Sequence, residues 1–279
     1  MIPIVRGICK LVGVFAAACL VAGCNPPVKP IALGVTGARP EVNYDDLAAV
    51  LKVAFGDDKD ERGFLVGDEH KRVSDRLDAQ LKRLAVTGPT VTAALLPADD
   101  DRIAYWYNAR TAWAIKLVLL AECPDTLPRR VLETRPFPLD GRTMTLEQID
   151  AILAEDPDWR LVVAAPSVRR HRARLPAAPF SPKTVRNEIA NRFNEYVADD
   201  ERFLIDVERQ QIVVHPLLWV LRERLIAEHH RKYRTEGATL TTALLPYTTG
   251  SARRRLQDAI GYRCVPGKRA DDVICEGDE

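Results

Sequence analysis

Apolar residues recur at helical spacing along most of the chain beyond residue 40. Leu47, Val50, Leu51 and Ala54 fall on one side of Asn43 to Phe55 and predict a first helix. A second is predicted over His70 to Leu84, and a third over the apolar stretch YWYNARTAWAIKLVLL, Tyr105 to Leu120. Asp99, Asp100 and Asp101 precede the third, where acidic side chains favour the positive end of a helix dipole. Pro124 and Pro128 enforce a loop after it. Phe137-Pro138-Leu139 and Arg142-Thr143-Met144 flank Asp140-Gly141, a tight hairpin signal because both turn residues need positive φ. Thr145 to Gln148 has capping-box form and opens a short helix with Leu146, Ile149 and Leu153 on one side. Leu161 to Ala165 is an unbroken apolar run that predicts a buried strand.

Ser181-Pro182 is expected to open another helix, proline being tolerated in a first turn, with Val185, Ile189, Phe193 and Val197 as its buried stripe. Phe203, Ile205 and Val207 alternate in a strand whose hairpin partner carries Ile212 and Val214. Leu217, Leu218, Leu221 and Leu225 give a further amphipathic helix. Helices outweigh strands, and the strands come mainly as hairpins. The expected class is α+β, a helix-rich single domain with a small, largely antiparallel sheet.

The first segment follows a different pattern. Arg6 and Lys10 precede an apolar run, Leu11 to Ala22. That run is too short to span a bilayer comfortably, which takes roughly 20 residues, and it reads as a secretory signal. Its end, Leu20-Val21-Ala22-Gly23-Cys24, resembles a bacterial lipobox, in which the cysteine becomes the lipidated N-terminus. The expected organisation is a lipoprotein signal peptide over 1–23, a flexible proline-containing tether over 24–40 and one domain over 41–279. Acylated Cys24 would hold the protein to a membrane surface, and Asn25 in place of an aspartate favours the outer membrane, facing the periplasm.

Charge and cysteine content narrow the classes. Losing Arg6 and Lys10 from 40 basic residues leaves 38 against 39 acidic ones, so the mature chain lacks the electrostatic footprint of a nucleic-acid binder. Cys9 and Cys19 leave with the signal and Cys24 takes lipid, leaving Cys123, Cys264 and Cys275. In an oxidising envelope Cys264 and Cys275 are a possible disulfide, and three unpaired thiols are the alternative. No C-x-x-C, H-E-x-x-H or glycine-rich phosphate loop occurs, so neither a metal nor a cofactor is expected.

Several motifs together resemble the Domain of Unknown Function 547 family. Trp106-Tyr107-Asn108-Ala109-Arg110-Thr111-Ala112 and Ile115-Lys116-Leu117-Val118-Leu119 are similar to its hydrophobic helix, which opens like W-I-N-A-Y-N-A and continues I-K-L-V-L. Gly141 to Ala151 is similar to its G-R-x-L-T-L-D-D-I-E-H hairpin and helix start, and Asp156 to Val163 to its D-P-R-I-H-F-A-L segment. The region around Ile212 to Leu221 also fits, and the resemblance covers roughly Asp45 to Leu245. The family pattern includes an E-H pair, a second histidine and a C-P-P-L-like loop. That set implies a thiolate nucleophile with a base and an orienting carboxylate.

This chain departs from that set. The E-H pair falls on Asp150-Ala151, the second histidine on Arg160, and the cysteine loop on Ala165 to His171, which has no cysteine. A methyl group accepts no proton, and an arginine stays protonated. The leading expectation is therefore an envelope protein that binds or scaffolds, its partner another envelope protein or an anionic envelope component. Asn108, Asp150, Arg160, Arg169 and Arg170 are the candidate binding residues, the last two in the basic run Arg169-Arg170-His171-Arg172-Ala173-Arg174. The alternative is a divergent hydrolase or acyltransferase using Asp150, Ser167 and His171 as its catalytic group. A structural lipoprotein with no specific ligand is the third.

The lipobox yields a direct test. Cys24→Ser is expected to abolish incorporation of labelled fatty acid and to move the protein from the membrane to the soluble fraction; acylation that persists in the variant would contradict the assignment.

Overall fold

A computed structural model describes residues 29–55, 68–122, 124, 126–169, 172–200 and 202–267. The signal segment, Cys24, Cys123, Arg170, His171 and Cys275 lie outside the described residues. The arrangement is α+β, mostly helical, with two small sheets.

Three helices open the described fold: α1 (Asp45–Phe55), α2 (Asp68–Val86) and α3 (Asp99–Leu119). The third is the pivot. Every residue from Ile103 to Leu119 is buried. A helix covered on all sides has no polar face to leave in water, so each of its polar groups needs an internal partner. Small residues at Ala104, Ala109, Ala112 and Ala114 let α2, the short α4 (Arg129–Leu132), α5 (Leu146–Glu155) and α7 (Val185–Ala198) pack around it. Trp113 stacks on Phe137 with ring centroids 4.2 Å apart. The Tyr105 hydroxyl donates to the Leu84 carbonyl at 3.1 Å, and that of Tyr107 to the Leu161 carbonyl at 2.6 Å. Lys116 Nζ reaches Asp78 at 2.6 Å. Asp101 accepts from the Ala98 amide at 2.9 Å and so secures the start of the helix.

The expected hairpin is present: β1 (Phe137–Leu139) pairs antiparallel with β2 (Arg142–Met144), with Asp140 and Gly141 both at positive φ. The turn also acts as a bracket. Asp140 and Gly141 donate their amides to the carbonyls of Leu84 and Ala85 at the end of α2. The buried Asp140 carboxylate accepts from the amides of Thr90 and Val91. Space there is tight, since a Cβ on Gly88 would lie 2.3 Å from an Asp140 oxygen. Thr145 and Gln148 form the expected capping box at the start of α5.

The second sheet has order β3-β4-β5, with β3 (Leu204–Asp206) antiparallel to β4 (Gln211–Val214) and β5 (Arg263–Pro266) parallel to β4. A parallel pair needs a crossover. Here it consists of α8 (Pro216–Tyr233), α9 (Leu240–Leu244) and α10 (Gly250–Asp258).

Three local expectations change. Leu161 to Ala165 is not a strand; Arg160–Val163 forms a helical turn, α6, followed by irregular chain. Asp158 starts that turn by accepting from the Arg160 amide, and among the described residues no strand lies alongside to pair with it. The carbonyls of Leu161 and Val162 go instead to the side chains of Tyr107 and Arg172. Ser181-Pro182 forms a turn just ahead of α7, whose first helical residue is Val185. Val207 sits in the exposed turn after β3 because Asp206 accepts from the Arg209 amide and closes that turn.

Asp140→Ala would leave two backbone donors without their acceptor. Each such loss costs about 1–3 kcal/mol, so a fall of about 3 kcal/mol in unfolding free energy is expected from urea denaturation.

Candidate functional site

Among the described candidates, Asp150, Ser167 and Arg169 lie in or against the segment that runs from Ala164 toward Arg174. Asp150, in the second turn of α5, directs its carboxylate at two guanidinium groups. Arg110 of α3, 1% exposed, donates Nε to Oδ1 at 2.6 Å and Nη2 to Oδ2 at 3.2 Å. Arg172 donates Nη1 to Oδ2 at 3.0 Å and Nη2 to the Val162 carbonyl at 3.4 Å. The remaining arm of Arg110, Nη1, donates to the Pro166 carbonyl. A forked donor with no acceptor suits such a place, since one arginine satisfies a carboxylate and a chain carbonyl together.

Burial alone would raise the Asp150 pKa. The opposing charges of Arg110 and Arg172, with their hydrogen bonds, outweigh it and hold the carboxyl at about 2. Burial lowers the pKa of Arg172, against the pull of Asp150.

The described arginines of the basic run, Arg169, Arg172 and Arg174, each face a different acid. Arg169, 5% exposed, makes a two-pronged pair with Glu133 just past α4, Nε to Oε1 and Nη2 to Oε2, both 2.9 Å. Arg172 takes Asp150, and Arg174 Nη2 lies 3.7 Å from Asp199, the residue that ends α7. Ser167 is 2% exposed; its hydroxyl accepts from the Arg169 amide at 3.1 Å, and its amide donates to the Ala173 carbonyl at 2.9 Å. Arg192 of α7 spans the segment, giving Nε to the Ala164 carbonyl at 3.1 Å and Nη2 to that of Arg174.

The other candidates have separate surroundings. Asn108 is fully buried, with Nδ2 donating to the Phe180 carbonyl at 2.9 Å and Oδ1 accepting from the Phe180 amide at 2.8 Å. One side-chain amide thereby completes one peptide, as a neighbouring strand would. Arg160 is held by Asp158 through two bonds of 2.8 Å and lies 5.3 Å from the centre of the Tyr247 ring. The Cys264 thiol contacts Thr241 Oγ1 at 3.6 Å, and burial raises its pKa.

Arg110 and Arg192 are the central groups that periodicity does not single out. Arg110 carries a signal nonetheless: a guanidinium inside an apolar helix demands a buried counter-charge. Arg192 carries none, because on the surface of an amphipathic helix it looks like any solvated residue.

Beyond the arginine cluster, an open cleft of roughly 420 Å³ lies between the Ala173–Arg174 segment and the last turn of α7, with Arg192, Tyr196, Asp199 and Arg202 on its walls. Among the described residues no group of three His, Cys, Asp or Glu side chains gathers as a metal site, and no helix is long and apolar enough to cross a membrane. No family model matches the chain, and no curated protein or solved structure is found to be similar to it.

A carboxyl held below its unfolded pKa, about 3.9, stabilises the fold fully above about pH 4 and loses that contribution as pH falls toward 2. Asp150→Asn leaves two arginines without their anion. It is expected to cost about 3 kcal/mol at pH 7 and to flatten the stability-against-pH curve between about pH 4 and pH 2, read from denaturant midpoints at each pH.

Proposed function

We propose that this chain is a lipid-anchored cell-envelope protein carrying a divergent Domain of Unknown Function 547-type domain, which works by binding rather than by turnover. The observation that carries the reading is the state of Asp150. It is the one carboxylate retained from the family-type set, and both of its oxygens accept from Arg110 and Arg172. A carboxyl with a pKa near 2 is a poor proton acceptor at neutral pH. An orienting carboxylate normally accepts from the base it orients, and here arginines occupy those positions.

The surroundings of Ser167 support the same reading. Its hydroxyl is buried and takes part in closing its own loop. A nucleophile needs a base within hydrogen-bond reach and a path for substrate.

Incubation with ester, thioester and peptide-bond probes is expected to give no turnover above buffer. Turnover that disappears in Ser167→Ala, with the variant still folded by circular dichroism, would replace the binding reading with the hydrolase alternative.

A further inference from the structure

The cleft beside α7 differs from the arginine cluster in what its cations have as partners. Arg110, Arg169 and Arg172 each face a carboxylate at close range. Arg192 donates only to two chain carbonyls, and its guanidinium rests 5.5 Å from the centre of the Phe180 ring. Among the described residues it has no carboxylate at ion-pair distance. Burial lowers its pKa to about 10, which leaves it charged at neutral pH.

Arg174 is the described arginine of the basic run that lines this opening. Its side chain is 42% exposed and its link to Asp199 is long, 3.7 Å. Asp199 is already engaged by Arg202, so one carboxylate serves two guanidinium groups. Asp200 is held by Arg255 at the rim, and Glu195 is exposed. Arg174, Arg192 and Arg202 share the lining with Glu195, Asp199 and Asp200, so the charges balance in number. With Asp199 drawn to Arg202 and Asp200 to Arg255, Arg192 and Arg174 are the lining cations held least by carboxylates. The volume lies in the range of small-molecule sites.

We infer that this cleft binds the oxyanion group of a small ligand, with Arg174 and Arg192 as its guanidinium contacts. Paired guanidinium groups match carboxylate and phosphate oxygens alike, so the recognised chemistry is the oxyanion itself. Arg192 is preorganised by the carbonyls of Ala164 and Arg174, and Arg174 swings from Asp199 to the ligand at the cost of a weak pair. The site deepens the binding reading above and rests on it for its biological meaning, but it does not depend on the catalytic state of Asp150.

The test uses the purified full chain in detergent, titrated at matched ionic strength with inorganic phosphate, with succinate and with chloride, by calorimetry and by the Nε–H signals of arginine in nitrogen-15 NMR. Saturable binding of phosphate, of succinate or of both is expected, weakened at least tenfold by Arg174→Gln and unchanged by Arg39→Gln, an exposed position away from the cleft. Phosphate alone identifies a tetrahedral oxyanion, and succinate alone a carboxylate. Responses that only track chloride overturn the site, and so does saturable binding that Arg174→Gln leaves intact. Arg192→Lys is a second probe that keeps the charge and loses the fork; Arg174→Gln decides the matter if that variant fails to fold. Failure here with no turnover in the probe assays removes this site and leaves the binding reading standing; turnover there with binding here does the reverse.

Discussion

A single carboxylate between two buried arginines governs the middle of this fold. Arg110 projects from a helix with no solvent-facing side, so its charge had to be met inside, and Asp150 meets it. The pair alone would be a costly burial, because desolvating two ions takes more than their attraction returns unless the other donors are also satisfied. They are: the remaining arm of Arg110 takes the Pro166 carbonyl, and Arg172 closes over the other Asp150 oxygen while holding Val162. The course of the chain from Ala164 to Arg174 follows from these bonds. Any rearrangement that freed Asp150 for chemistry would strand two guanidinium groups.

The same device recurs at the ends of two further helices. Arg224 of α8 donates to the carbonyls of Ala154, Asp156 and Pro157 at and just beyond the end of α5. Arg255 of α10 does so for Val197, Ala198 and Phe203 at and beyond the end of α7. A helix terminus leaves carbonyls without partners, and a guanidinium brings several donors and a complementary charge to them at once. The described residues form two small sheets with few strand edges to absorb such groups, and arginine fills that role here. Lysine would supply the charge without the fork.

Much of this was legible in the linear pattern, and the exceptions share a cause. The helical stripes of α1, α7 and α8, the Asp140-Gly141 hairpin and the Thr145 capping box are local codes, and each element lies where its code places it to within a few residues. By contrast, α3 is buried all round and starts six residues earlier than its apolar stretch, taking Asp99 to Asp101 into its first turn. Leu161 to Ala165 misleads because an apolar run of that length suits a buried strand and a buried helical turn equally, and only the absence of a neighbouring strand decides. The basic run reads as a solvated, anion-seeking patch because Glu133, Asp150 and Asp199, its partners, come from three separate elements. Asn108 stands out in the sequence, yet its partner, the Phe180 peptide, lies 72 residues further along the chain.

The parallel pairing of β5 with β4 sets an order of events for a chain synthesised from its N-terminus. Until residues 263–266 emerge, β3 and β4 are a lone hairpin with Val213 and its neighbours presenting unpaired amides and carbonyls at an open edge. Such a hairpin is marginal by itself and invites pairing with other chains. Local contacts in α1 to α5 form early and cheaply, whereas this closure must wait for three intervening helices. Closing this sheet therefore carries the larger loop-closure cost in folding. A truncation that removed β5 would endanger the protein by leaving that edge unpaired rather than by hollowing its core.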